Sequence, residues 1–73
     1  MKKFFDSLKD KKNLIKILLS SGKELTFNLR VYSIDTDSYD DAVVFSFLQE
    51  DETYLVRYAA IAVVSYADKQ FVY

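Results

Sequence analysis

Four aspartates, Asp35, Asp37, Asp40 and Asp41, fall within seven residues of one another. Carboxylate oxygens so close together are the ligands that hard cations such as Ca²⁺ and Mg²⁺ prefer. The spacing reproduces only a fragment of an EF-hand loop, with no glycine at the sixth position and no closing glutamate, so a solvated acidic loop is expected and no metal site. The chain holds neither histidine nor cysteine. That removes disulfides, thiolate or imidazole zinc sites, and Cys–His or Ser–His nucleophile pairs. Carboxylates and tyrosines remain as proton carriers, but no paired constellation, glycine-rich phosphate loop or metal-ligand spacing accompanies them. The expectation is a protein that is not an enzyme and uses no cofactor. The second charged group is basic: Lys2, Lys3, Lys9, Lys11, Lys12 and Lys16 collect near the start of a chain whose formal net charge is −1. Such a balance provides no general field for nucleic acid, so any RNA binding must be local. A lysine run of this kind is ordinarily a solvated helix face.

Few elements are available to position these groups in 73 residues. A domain this small buries only about 60% of its unfolded surface. Disulfides, a structural metal or self-association normally make up the difference, and here only self-association is left. The hydrophobic fraction of 51% and aromatic fraction of 16% agree, because so short a chain has little interior for large side chains. No apolar run approaches the ~20 residues that cross a bilayer, and the segment after Phe5 lacks the apolar centre of a signal peptide. A soluble, cytoplasmic protein is expected.

Phe4, Phe5 and Leu8 recur at helical spacing among charged residues, predicting an amphipathic helix over residues 2 to 12 that docks on the rest of the chain. From Leu14 the period becomes two, with Ile15, Ile17 and Leu19 opposite Leu14, Lys16 and Leu18. Gly22, the only glycine, supplies the turn into a long second strand, where Leu25, Phe27, Leu29 and Val31 alternate with polar partners. The apolar phase then slips by one at Ile34, predicting a bulge near Tyr32 or Ser33 in a strand that curls. After the acidic loop come a third strand from Ala42 to Leu48, a fourth from Thr53 to Arg57, a brief connection Tyr58-Ala59-Ala60, and a fifth from Ile61 to Tyr66. The tail from Ala67 to Tyr73 has no assignment. Strands at this spacing imply one mostly β domain over residues 1–73, an N-terminal helix followed by five strongly bent antiparallel strands forming a small barrel over about 14–66.

The order of elements and two stretches of residues resemble the Sm-like family, which includes the Hfq-type proteins, over nearly the whole chain. The first family motif is matched by Ile15-x-Ile17-x-Leu19-x-x-Gly22, then Leu25, Leu29, Ile34 and Asp35. The second and more specific is matched by Leu55-Val56-Arg57-Tyr58-Ala59-Ala60-Ile61-Ala62-Val63-Val64. Phe27 stands where the family usually has glycine, and Tyr58-Ala59 where it has Gly-Asn or Lys-His.

The resemblance implies an Sm-like (SH3-like) barrel in a homo-oligomeric ring of roughly five to seven copies, closed by pairing the fourth strand of one subunit with the fifth of the next. Tyr54, Val56, Ile61 and Val63 would lie at that seam. It also implies a pore that takes single-stranded, uridine-rich RNA, with Tyr39, Arg57 and Tyr58 as RNA-binding residues by position. Against this, Tyr58 would pack at the subunit seam, Arg57 would pair with a carboxylate, and Tyr39 would be an exposed loop tip. An acidic loop around a pore would repel phosphate. The second functional reading is therefore a structural or protein-interaction ring without nucleic acid, and strand content alone also fits an SH3-like or OB-like monomer.

Overall fold

The computed structural model describes residues 1–67 with their side chains and the backbone of 69–72. It is mostly β, with a short N-terminal helix and two antiparallel sheets. The elements are α1 (Lys2–Asp6), β1 (Leu14–Leu19), β2 (Glu24–Asn28), β3 (Tyr32–Asp35), β4 (Ala42–Phe47), β5 (Thr53–Arg57), a 3₁₀ turn (Tyr58–Ala60), β6 (Ile61–Tyr66) and β7 (Lys69–Val72). One sheet runs β2-β1-β6-β7 and the other β3-β4-β5. Among the described residues no ladder joins the two sheets, so they face one another without closing into a barrel.

The helix is shorter than the apolar spacing predicts. After Asp6 the backbone changes to i→i+3 bonds, Leu8 N–H to Phe5 C=O at 3.0 Å and Lys11 N–H to Leu8 C=O at 3.1 Å. The Ser7 hydroxyl donates to the Phe4 carbonyl at 2.6 Å. Five helical residues cannot sustain themselves in water. The tighter turns that follow bring Leu8 into the core beside Phe5.

Two-residue alternation holds in β1, where Ile15 and Ile17 are buried and Leu14, Lys16 and Leu18 exposed. The β1–β2 turn carries Gly22 at φ 93°, and a Cβ there would meet nothing within 4 Å. Its role is conformational alone. The single long second strand does not form. The chain leaves the first sheet at Asn28, whose side-chain oxygen accepts the Arg30 N–H at 3.0 Å, and resumes at Tyr32 in the second sheet. A turn at Leu29–Val31, with Val31 N–H donating to the Asn28 carbonyl at 3.0 Å, absorbs the phase slip that a bulge was expected to absorb. Inward positions are odd through Phe27 and Leu29 and even at Tyr32, Ile34 and Thr36. The strand count therefore rises from five to seven: this split adds one, and the unassigned tail adds β7, paired with β6 at Val63↔Val72, Val64↔Phe71, Ser65↔Gln70 and Tyr66↔Lys69.

The core lies between the sheets and under α1. Phe27 of β2 stacks on Phe45 of β4, centroids 4.1 Å apart and planes 4° from parallel. Phe5 of α1 meets Phe45 edge-on at 6.1 Å and lies over Tyr58 at 6.0 Å. Leu8, Ile15, Ile17, Leu29, Val43, Val56, Ile61 and Val64 join them in it.

Phe5 is fully buried whereas Leu48 is 62% exposed. Phe5→Ala should cost about 3–5 kcal/mol, a large share of the stability of a domain this size, and Leu48→Ala less than about 0.5 kcal/mol. Urea unfolding of both variants checks this.

Candidate nucleic-acid and subunit interfaces

The acidic loop is organised from within. Asp35, at the end of β3, accepts the Asp37 N–H at 2.8 Å and the Ser38 N–H at 3.2 Å on one oxygen, and the Ser38 hydroxyl on the other. These bonds, the Ser38 hydroxyl foremost, hold its carboxyl below the usual aspartate value. Asp37 faces the helix, 3.4 Å from the Lys9 ammonium and 3.9 Å from that of Lys2. Asp41 receives the Arg57 guanidinium at 2.8 Å. The loop carboxylates thus engage the chain's own donors and cations rather than converging on one point, and no group of three or more acidic side chains among the described residues could hold a metal ion.

A polar cluster pins α1 to this loop. Thr36, 1% exposed, donates its hydroxyl to Asp6, and Lys9 reaches Asp6 at 3.2 Å. The Thr36 hydroxyl, helped by the charges of Lys9 and Lys2, lowers the Asp6 carboxyl despite partial burial. The Lys9 ammonium is raised by Asp6 and Asp37 in turn. Of the six lysines near the start of the chain, Lys2 and Lys9 are thus engaged by carboxylates.

The three residues expected at an RNA site are separated. Tyr39 is 49% exposed on the loop. Arg57, closing β5, is held by Asp41 although both side chains remain about two-thirds exposed. Tyr58 turns the other way, 9% exposed and stacked on Phe5. Its hydroxyl is buried without a hydrogen-bond partner, and burial, with the nearby Asp6 charge, raises its pKa. The residue starts the 3₁₀ turn, and its N–H bonds the Asp41 carbonyl at 2.9 Å. That backbone bond extends the β4–β5 ladder one step and aims the ring inward.

The four seam residues divide likewise. Val56 and Ile61 are 5% and 1% exposed and belong to this chain's own core. Tyr54 is 41% exposed, bonded through its hydroxyl to Glu52 and leaning on Phe27 at 5.5 Å. Val63 is half-buried, paired with Leu18 on one side and Val72 on the other. β7 thus occupies the outer edge of β6, the edge on which the expected seam depends. The free edge of β5 is open and carries Leu55, 45% exposed, above a mainly apolar groove of Leu19, Leu25, Leu55, Val56, Arg57 and Ala60. Leu55 was legible as an apolar residue at an outward position of its strand; β7 had no comparable signal.

The fold and these surfaces define a small two-sheet β domain with a docked helix and an open strand edge. Compared with protein families, curated proteins and solved structures, the chain shows no significant match. No helix among the described residues is long and apolar enough to cross a membrane.

Because the Tyr58 hydroxyl has no partner, Tyr58→Phe should leave stability unchanged or raise it by up to about 1 kcal/mol. A loss of that size in urea unfolding would reveal a partner for the hydroxyl. The lowered carboxyls of Asp6 and Asp35 stabilise the fold fully above the ordinary aspartate range. Their contribution disappears as pH falls through the lower folded values. The urea midpoint should therefore drop between about pH 5 and pH 2, and less steeply in Asp6→Asn; equal slopes would exclude Asp6 as a contributor.

Proposed function

We propose that this chain is a divergent Sm-like module that assembles with copies of itself into a ring and serves as a structural or protein-interaction element. The observation that carries the reading is β5, an edge strand whose backbone is unpaired on one side and whose Tyr54 and Leu55 are exposed. An open apolar edge is a template for another strand. Heterologous strand pairing of this kind generates rings when the rotation per subunit closes. The division of the expected second strand into β2 and β3, one in each sheet, supports the Sm-like part, since a bent strand shared by two halves of a small barrel produces this order.

Single-stranded RNA binding is the second reading, favoured by exposed Tyr39 on the loop that Arg57 contacts. It ranks below the first because Tyr58 is spent on the core, Arg57 on Asp41, and Lys2 and Lys9 on carboxylates. Each such pairing leaves less positive charge for phosphate.

Light scattering on a sizing column across dilution and salt should return a mass of several subunits. A uridine-rich RNA oligomer should show no anisotropy change at low salt. A monomer at every concentration rejects the ring; RNA binding lost in Tyr39→Ala and Arg57→Ala would instead make RNA the function.

A further inference from the structure

The outward face of β1 is left bare. Leu14 and Leu18 are 51% and 38% exposed there with Lys16 between them, and Lys16 is flanked by Thr26 on β2 and Ser65 on β6. Beside Leu14 lies a hollow of about 580 Å³ lined by Asn13, Leu14, Lys16, Ser65 and Ala67. The charge on this face has a direction. Glu24 sits opposite Leu18 at one end, while at the other the Arg30 Nε–H donates to the Lys12 carbonyl at 3.2 Å. Lys12, Lys16 and Arg30 are exposed, and among the described residues no carboxylate forms an ion pair with any of them. The hollow therefore opens at the basic end.

The same end of the molecule carries the complement. Leu29 N–H bonds the Asn13 carbonyl at 3.0 Å and Leu48 N–H bonds the Val31 carbonyl at 2.8 Å, so the turn at Leu29–Val31 ties the start of β1 to the turn between β4 and β5. Leu48 opens that second turn and, at 62%, is the most exposed large hydrophobic side chain among the described residues. Glu50 and Asp51 follow it, exposed and in no ion pair among the described residues. Turn and hollow adjoin, yet within the chain they are not joined by charge. An apolar tip flanked by free carboxylates and a hollow walled by Leu14 and flanked by free cations are complementary. Two such surfaces side by side on one body fit a second copy turned through half a rotation, since an isologous contact sets one residue against another and the second against the first.

We propose that this end of the molecule is a two-fold self-association surface, in which the β4–β5 turn of each copy seats Leu48 in the hollow beside Leu14 of the other and sets Glu50 and Asp51 against its Lys16 and Arg30. The inference goes beyond the ring reading and pairs no strand edges. A cyclic ring of more than two subunits is closed by heterologous contacts, so an isologous contact joins one ring to another. Burial of Leu48 and Leu14 supplies the attraction. The charges fix the orientation and make the contact sensitive to salt.

The test is light scattering over a dilution series, with circular dichroism as the check of folding, on the full chain, Lys16→Glu, Glu50→Lys and the two together. Each single swap should raise the concentration at which copies pair by about tenfold or more, and the double variant should return close to the unsubstituted value. Leu48→Ala should raise it several-fold. Swaps that halve the mass of a larger assembly support the surface and leave the ring standing, whereas swaps that reduce a dimer to a monomer support the surface and reject the ring. A mass of several subunits unchanged by both swaps leaves the ring standing and overturns the surface. Loss in the single variants without recovery in the double also overturns it. A full chain that is monomeric at every concentration rejects both. Should a swapped chain not fold, Leu48→Ala decides: weaker pairing supports the surface, and unchanged pairing overturns it.

Discussion

The fold depends on one aromatic contact. Phe27 from β2 lies flat on Phe45 from β4 at 4.1 Å, and because no backbone ladder among the described residues links the two sheets, side-chain packing has to hold them together. Rings of this size bury more apolar area than any aliphatic neighbour. Phe5 meets the same Phe45 edge-on, so the helix is anchored to the residue that joins the sheets. Asp6, one position later, then reaches Thr36, and the acidic loop takes its place from that contact. The position of the loop is thus a consequence of the aromatic core.

That core also governs what is left for function. Tyr58, stacked on Phe5 with its hydroxyl unpaired, tolerates a buried polar group in exchange for a ring that fills space. The cost of such a hydroxyl, about 1–3 kcal/mol, is smaller than that of a ring-sized void, about 3–5 kcal/mol. A side chain committed in this way is unavailable to a nucleotide. The exposed ion pairs of Arg57 with Asp41 and of Lys9 with Asp6 and Asp37 contribute little stability, as surface pairs generally do. Their greater effect is to cancel charge where a phosphate would otherwise be drawn.

A domain with two small sheets has edges to manage, and this chain treats them unequally. β7 covers β6, while β5 is left open with Leu55 outward and Tyr54 partly exposed beside Phe27. Of the outer strands β2, β7, β3 and β5, β5 is the one that carries both Tyr54 and Leu55 exposed. The expectation of self-association came from composition, because the chain holds no cysteine for a disulfide and no cysteine or histidine for a zinc site.

The positions of β1, β4, β5 and β6, the glycine turn and the inward faces of β1, β4 and β5 were written in the sequence, because burial of one sheet face imposes a period of two on Ile15 and Ile17, Val43 and Phe45. Mostly β architecture with a docked helix followed from that pattern alone. Tertiary structure decided the rest. Whether the phase slip before Ile34 was a bulge or a turn depended on which sheet received β3. The helix ended at Asp6 because Leu8 had to reach the core. Tyr58 faced inward and Arg57 found Asp41 because β4 and β5 paired in one register, Ala42 opposite Arg57. β7 needed the edge of β6 as its template, and a neighbour in space leaves no periodicity in the strand that finds it.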